Sequence, residues 1–534
     1  MTAEIEKHEH GSCMQAAASN SVPAVPLLLI VIGAFLLRAP GIMWGWGLSG
    51  DRSQIAMLHP DEERFVIMAS ELESHSLRRR DYVLGFGNIL RMLYRWGMAA
   101  RIPFSRSDLL LEGRLLSLCA GVLLVLIVVG ITRDLFHSAW TALMAGLLVA
   151  TNTLCTIHSH LCTADSLYCT SLYLFAWLTW RGIQRDRIPL LIAAAAIAGI
   201  AMGLKFGVVL LPSVVLLGIK YRRYAIHLWA VAGIFFFLIQ GFEFGRENLR
   251  QIWHMFLTDN ATRRGFCYRW NLPVYLVEYV RACGVPVVLV SLFLVSRVWR
   301  KETRGCTLGY RHMVAFLPFI LHAIGLLGLA VPFPRHLLPL VPLGMIVAAR
   351  GLWHLTSRKR MAVVCVAWAA ILSICDAAGF WFDARRGALQ WIHTNVPPGT
   401  AVFVDRGFRV PLPEYAHPRK WYRAKVFIRH EAWTYRFRRS ELHPFGPPSC
   451  RELYHASAVD KLVYRKIRHW KRKGRLRLVY FARPPCIMPE DFLYRYLWGS
   501  FNKFAGGCSV LVSRDFRGAE QGDGGAILQA GLSL

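Results

Sequence analysis

Three short clusters of ionisable residues interrupt an otherwise strongly apolar chain, and each is made of residue types that do chemistry. Ionisable groups at the mouths of apolar helices are costly unless they function. His59-Pro60-Asp61-Glu62-Glu63-Arg64 carries adjacent carboxylates. Pro60 can open a helix and carboxylates suit its first turn, so capping alone would also account for them. His158-Ser159-His160-Leu161-Cys162-Thr163-Ala164-Asp165 packs two imidazoles and a carboxylate into a tight turn. His59, His158 and His160 leave a divalent metal open, although His-x-His in a turn is a weak metal signal. Capping by Thr163 and Asp165 is the plain alternative. Arg335-His336 follows Phe333-Pro334 at an expected helix start, where a guanidinium and a helix N-terminus together suit phosphate.

The elements that must position these clusters are apolar blocks. The chain has 534 residues, 54% of them apolar, and the apolar residues come in long runs. At about 20 residues per crossing, the runs predict helices near 24–43, 113–132, 138–157, 163–180, 188–204, 205–219, 225–241, 282–297, 312–331, 335–352 and 361–381. This is a polytopic α-helical membrane protein with about 11 crossings. Gly199, Gly203 and Lys205 interrupt 188–219, which reads either as two short helices or as one irregular unit.

Charge gives the bundle a direction. With residues 1–22 as a cytoplasmic tail, the short cytoplasmic loops carry Arg133; Arg181, Arg185 and Arg187; Lys220, Arg222 and Arg223; Arg297, Arg300, Lys301, Arg304 and Arg311; and Arg358, Lys359 and Arg360. That is the positive-inside bias. All three clusters then face the opposite side. The tail has no basic stretch leading into the apolar run, so Val25–Leu37 reads as an uncleaved first helix rather than a signal peptide.

The first outer loop, 44–111, holds two amphipathic patterns. Asp61–Ser74 places Phe65, Met68 and Leu72 on one face. Leu84–Met98 places Ile89, Leu93 and Trp96 on one face, with Arg91 and Arg95 one turn apart. Such helices lie on a membrane surface or pack against a domain. Beyond the membrane domain, 23–382, the composition changes. From Arg385 onward there are 27 Lys and Arg against 11 Asp and Glu. A helical pattern at Ala388–Asn395 ends before Pro397-Pro398-Gly399, and strand-like runs follow at Thr400–Val404, Leu476–Phe481 and Ser509–Val512. Residues 383–517 therefore read as a basic, soluble α/β domain on the outer side, and 518–534 as a flexible tail. The basic run Lys461–Arg477, with Tyr464 and Trp470, is either a solvated face or a surface for anionic headgroups.

The formal charge of +30 suits either nucleic acid or anionic lipid. Membrane-length blocks favour lipid, and no nucleic-acid partner is expected. The 13 cysteines form no CxxC pair and mostly sit in apolar runs as small buried side chains. Cys450, Cys486 and Cys508 lie in the outer domain, where two of them could pair.

In order along the chain, "HPDE" after helix one, "GRLLSLCAGVL" (Gly113–Leu123), "HSHLCTAD" and "FPRHLLPLVP" (Phe333–Pro342) resemble the GT-C glycosyltransferases. The resemblance is to the protein O-mannosyltransferase and aminoarabinose-transferase group, and "GALQWIHTNVPPGTAVFV" (Gly387–Val404) is similar to the start of the outer domain in prokaryotic members. It implies a sugar donor carried on polyprenyl phosphate and inverting displacement on the extracytoplasmic side of the plasma or inner membrane. Such a reaction needs a base for the acceptor hydroxyl and cations for the departing phosphate. Asp61 matches the family's base, and Glu62 would orient the acceptor or Asp61. Arg335, with His336 and Lys205, would bind the lipid phosphate. Asp165 and His160 would shape the sugar pocket or brace the first loop. No cofactor is required, and the acceptor is a glycan, a lipid or a protein.

Two family features are missing. The second-surface-helix lysine has no secure counterpart, with Arg78–Arg80 and Arg91 the nearby cations. The 242–281 loop is also too short for the inserted domain of the protein O-mannosyltransferases. The alternative function is a transporter or flippase for lipid-linked or anionic solutes, which would place charges at the midplane and show inverted repeats. A non-catalytic scaffold would explain the charge but not the ordered motifs.

Overall fold

The computed structural model describes residues 22–46, 48, 55–56, 60–70, 85–100, 105–205, 207–240, 268–301, 310–327, 334–354, 359–404, 408, 410, 412–417, 421–430, 466–467, 469–482 and 508–516. The segment between the first two long apolar helices supplies two helices, α2 (Pro60–Ser70) and α3 (Gly85–Ala99), which follow α1 (Ala24–Arg38). Then come α4 (Arg106–Phe136), α5 (Ala139–Ala150), α6 (Thr153–His158), α7 (Ala164–Gln184), α8 (Ile188–Leu204), α9 (Leu211–Lys220) and α10 (Ala225–Gln240). The later bundle has α11 (Tyr268–Cys283), α12 (Val285–Lys301), α13 (Tyr310–Leu327), α14 (Val341–His354) and α15 (Lys359–Trp381). Every expected apolar block contains a helix. Five stretches of described residues are long and apolar enough to cross a bilayer: Ala24–Gly41, Arg106–Phe136, Arg222–Gln240, Tyr310–Leu327 and Arg360–Asn395. The protein is thus a polytopic helical membrane protein.

Three departures from a simple series of spans have physical causes. The 138–157 block breaks at Thr151-Asn152. Asn152 there accepts from Cys155 N at 3.0 Å and donates to Ala282 O at 2.8 Å, and Ser373 donates to Thr151 O at 2.6 Å. Arg38, fully buried, donates to Ala150 O at 3.0 Å and to Val149 O at 3.4 Å. The carbonyls at the end of α5 are satisfied by a guanidinium from α1 instead of by another helical turn.

The 188–219 block resolves into two helical pieces. α8 stops at Leu204, and a 3-10 turn, Gly207–Leu210, leads into α9. Gly199 meets Ala232 and Phe235 of α10, and Gly203 meets Ile239, so α8 and α10 run side by side in the same direction. Lys205 thereby stands at the helix end beside Gln240. The 335–352 block begins as a 3-10 turn, Pro334–Leu337, and becomes α-helical only at Val341. Pro339 has no N–H to continue the ladder, and its carbonyl accepts from Tyr173 Oη at 2.8 Å.

Helix α3 presents Phe86 and Leu90 to the protein interior and leaves Met92 and Trp96 exposed. Its Asn88 donates to Ile239 O at 3.0 Å and Gln240 O at 2.5 Å, capping α10. The amphipathic loop helix is thus packed on the bundle end. Residues 71–84 lie outside the described residues.

Past the bundle, α16 (Ala384–Asn395) is capped by Asp383 and leads into β1 (Val402–Val404), β2 (Val426–His430), β3 (Leu476–Ala482) and β4 (Cys508–Ser513). The sheet order is β1-β2-β4-β3, with β1 parallel to β2 and the other pairs antiparallel. Val426 pairs with Val512 and Ile428 with Val510, which puts one apolar face toward Ala388 and Ile392 of α16. The other face carries Phe427 and Leu511 with Ile467 and Trp470. Trp470 therefore packs on Phe427 at 6.2 Å between ring centres and does not project from the basic run, whose Lys471, Arg472 and Lys473 are exposed. Tyr464 lies outside the described residues, as do Cys450 and Cys486, and Cys508 is buried in β4.

Replacing Arg38 with Met keeps an apolar side chain of similar length but removes the guanidinium from the α5 carbonyls, leaving Val149 O the Asn152 amide and Ala150 O the Thr156 hydroxyl at 3.5 Å. Hydrogen bonds to charged groups are worth about 1.5–3 kcal/mol each. Arg38→Met should lower the thermal midpoint of the detergent-solubilised protein clearly, whereas Leu36→Met, at an exposed position of the same helix, should leave it in place.

Candidate active site

Glu62, in the first turn of α2, is fully buried and takes both ends of a bidentate pair from Arg114 of α4, at 2.8 and 2.9 Å. Two charges in such a place are stable only when their remaining hydrogen-bonding capacity is met. Arg114 also donates to Ile42 O at 3.0 Å and Trp44 O at 2.6 Å. Glu62 Oε1 accepts in addition from Cys162 N at 2.9 Å. One ion pair thus ties the end of α1, the start of α2, the middle of the bundle and the His158–Asp165 turn together. Asp61 is the second residue of α2, adjacent to this anchor. His59 lies outside the described residues.

Trp44 extends the knot outward. Its indole donates to Asp383 Oδ2 at 2.9 Å, and its ring stacks edge-on against Phe380 at 4.9 Å. Arg385 pairs with Asp383 at 2.5 Å and lies over the Trp44 ring at 5.3 Å. The start of α16, which leads into the sheet, is joined to the segment after α1 through these residues.

The two histidines of the second cluster part company. His160 hydrogen-bonds Leu37 O through Nε2 at 3.0 Å and packs beneath Gly41 and against Phe380. Burial pushes its imidazole down to about 3, so at neutral pH it is uncharged and Nε2 is the donor. It braces the end of α1. His158 turns the other way, with Nδ1 3.9 Å from Asp165 Oδ2. No group of three or more metal-ligating side chains occurs among the described residues.

Asp165 stands in the first turn of α7 and forms an ion pair with Lys205 at the end of α8. Thr163, the N-cap, makes no side-chain capping bond, and the Asp165 carboxylate is engaged in the tertiary contact to Lys205. Arg335 lies within electrostatic reach of Asp165, and both Arg335 and Lys205 act on His336. The segment carrying Arg335 is pinned from three sides. Tyr173 and Cys169 of α7 donate to Pro339 O and Leu338 O, at 2.8 and 3.6 Å. His322 of α13 hydrogen-bonds His336 O at 2.8 Å, and Tyr275 of α11 meets His336 Nδ1 at 3.2 Å.

The structure therefore brings Asp165, Lys205, Arg335, His336 and His158 to one end of the bundle. It places Glu62 and His160 in the adjoining knot that carries Asp61. Sequence reading missed Arg114, Trp44, Tyr275, His322 and Asp383. Arg114 had a usable signal, since a lone arginine inside an apolar helix demands a partner. The others are aromatic or polar residues whose partners lie far away in the chain.

Residues 106–241 match the family model described as dolichyl-phosphate-mannose-protein mannosyltransferase. The matched segment contains the Gly113–Leu123 and His158–Asp165 motifs and Lys205. No curated protein matches the chain significantly. Among solved structures, ArnT from Cupriavidus metallidurans, determined with undecaprenyl phosphate, is 13% identical with a TM-score of 0.46, covering 76% of this chain and 94% of its own. The oligosaccharyltransferase of Archaeoglobus fulgidus in its apo form is 13% identical with a TM-score of 0.43, covering 72% of this chain and 62% of its own. The same organism's AglB, with an inhibitory peptide and dolichol phosphate, is 14% identical with a TM-score of 0.43, covering 76% and 69%. The family model covers residues 106–241 alone, about a quarter of the chain, and likenesses to solved structures this distant carry no further argument.

Removing one partner of a buried ion pair costs about 3–5 kcal/mol. Glu62→Ala and Arg114→Ala should each destabilise the protein by an amount in that range. The double variant should fall well short of the sum in a detergent unfolding cycle; simple additivity would mean that the pair does not act as a unit.

Proposed function

We propose, on the premise that this chain is a GT-C-type glycosyltransferase of the mannosyltransferase and aminoarabinose-transferase kind, that it moves a sugar from a polyprenyl-phosphate carrier to an acceptor hydroxyl by inverting displacement. The observation that carries this reading is the pairing of two features at one end of the bundle. A carboxylate-bearing helix start is fixed by Glu62 and Arg114, and one turn of chain away lies the cationic cluster around Asp165, Lys205 and Arg335. Glycosyl transfer from a phosphate needs both halves, a base and cations.

In this reading Asp61 accepts the proton of the acceptor hydroxyl as its oxygen attacks the anomeric carbon. The bond from that carbon to the phosphate oxygen breaks on the opposite face, and polyprenyl phosphate leaves with the electron pair. Arg335 receives the developing phosphate charge. Lys205 contributes a second cation whose ammonium is aimed by Asp165, and His336 lies beside both. Glu62 is a positioning residue: with both oxygens committed to Arg114 and Cys162 N, it fixes the backbone of Asp61 rather than touching substrate. The basic short loops at the other end support an extracytoplasmic site. A lipid-borne donor suits that side, which has no pool of nucleotide sugars. A glycan, a lipid or a protein hydroxyl remains the acceptor class.

Purified wild-type protein should transfer sugar from at least one member of a panel of polyprenyl-phosphate hexoses and pentoses. Asp61→Asn should reduce turnover by roughly 10²–10⁴-fold with the fold intact, the usual worth of a general base. Undiminished transfer by this variant would remove Asp61 from the role. A folded wild type inactive with every such donor would favour transport of a lipid-linked anion. Arg335→Ala should weaken donor binding by roughly tenfold or more, the worth of a charge-assisted contact, with an unchanged thermal midpoint. Unaltered donor affinity would exclude Arg335 from the phosphate site.

A further inference from the structure

At the end of the bundle opposite the Asp165 cluster, Ile131 and Leu135 of α4, Ala176, Trp177 and Trp180 of α7 and Phe316 of α13 line an apolar groove. Two features separate it from an ordinary lipid-facing furrow. The first is Trp180, which is only 6% exposed, yet its indole N–H finds no hydrogen-bond partner among the described residues. A buried indole N–H usually has a partner. Its neighbour Trp177 does, donating to Asp134 at 2.8 Å. The second feature is the cations at the mouth. The Arg311 guanidinium lies 4.7 Å over the Trp180 ring, and Lys220 Nζ lies 4.7 Å over Tyr310, the residue before Arg311.

These cations are not neutralised by the acids nearby. Asp134 is taken by Arg181 in a bidentate contact, at 2.6 and 3.1 Å, and Asp186 faces Tyr221. Among the described residues neither Arg311 nor Lys220 forms an ion pair. An apolar trough, an unsatisfied donor at its wall and two cations at its mouth describe one ligand chemistry: acyl chain below, anionic phosphate above.

We propose that this groove is a binding site for an anionic phospholipid. One acyl chain lies against Trp177 and Phe316, the phosphate accepts from Trp180 Nε1, and Arg311 and Lys220 supply the countercharge. The site is separate from the proposed transfer site and would hold even if that assignment failed. The basic short loops place it in the cytoplasmic leaflet, where the surface is negative and each cation near a headgroup favours binding.

The test is lipid competition by native mass spectrometry on the full-length protein, with phosphatidylglycerol and phosphatidylcholine of identical chains. Wild type should retain phosphatidylglycerol selectively, and millimolar inorganic phosphate should not displace it. Arg311→Gln with Lys220→Gln should cut the preference by roughly 30-fold, the combined worth of two headgroup cations. Trp180→Phe keeps the ring and removes only the donor, so it should lower the preference several-fold with the fold intact. Arg222→Gln with Arg223→Gln, at the same end but outside the groove, should leave it unchanged. Equal retention of the two lipids by wild type would overturn the proposal, as would displacement by free phosphate. So would an equal loss in the Arg222 and Arg223 variant, which would reduce the effect to bulk charge.

Discussion

The pair between Glu62 and Arg114 is the constraint on which the end of the bundle bearing Asp165 depends. Both groups are fully buried, and such a pair is tolerable only with complete hydrogen bonding. Completion comes from the carbonyls of Ile42 and Trp44 and from the amide of Cys162. Those three partners belong to two parts of the chain, the 42–44 segment after the first helix and the turn at Cys162, while the pair itself joins α2 to α4. Satisfying one ion pair therefore fixes the exit of the first helix, the start of the first loop helix and the turn before Asp165 in a single arrangement. Through Trp44 the same knot reaches Asp383 and Arg385 and hence α16, which leads into the sheet.

A second device works by interruption. α8 ends at Leu204, just before Lys205, α5 ends at Ala150 and the Arg335 segment delays its helix until Val341. Each break leaves backbone groups that need partners, and each finds them in side chains from other helices: Gln240 for Gly203 O, Arg38 for the end of α5, and Tyr173 for Pro339 O. Irregular backbone at membrane depth is tolerated where protein groups satisfy it. Such breaks let Lys205 and Arg335 meet Asp165, because a continuous helix would carry each side chain past the others.

The two ends of the bundle use charge differently. At the end bearing Asp165 the cations are paired with carboxylates, and Arg114 and Arg385 lie over the Trp44 ring as well. At the opposite end Arg181, itself paired with Asp134, lies over Trp177, whereas Arg350, Arg311 and Lys220 lie over rings with no ion pair among the described residues. Guanidinium and ammonium groups over ring faces suit an interface between water and lipid. The polar, self-paired end suits a site that must receive a charged group.

By itself the sequence determined the apolar blocks, the basic charge of the short loops at one set of block ends, and the three clusters of ionisable residues. These are local properties: block length against bilayer thickness, and charge at block ends. Thr400–Val404, Leu476–Phe481 and Ser509–Val512 were legible as strand-like runs for the same reason, and each contains or lies within a strand. Tertiary structure alone decided that Glu62 is an anchor, that His160 braces α1 while His158 faces Asp165, and that Trp470 packs inward against Phe427. It also decided the break at Lys205. Arg114 meets Glu62 across 52 positions and Cys162 meets Glu62 across 100. Contacts at such separations depend on how helices pack, and that packing is set by the whole set of buried faces together, which no local pattern of residues encodes.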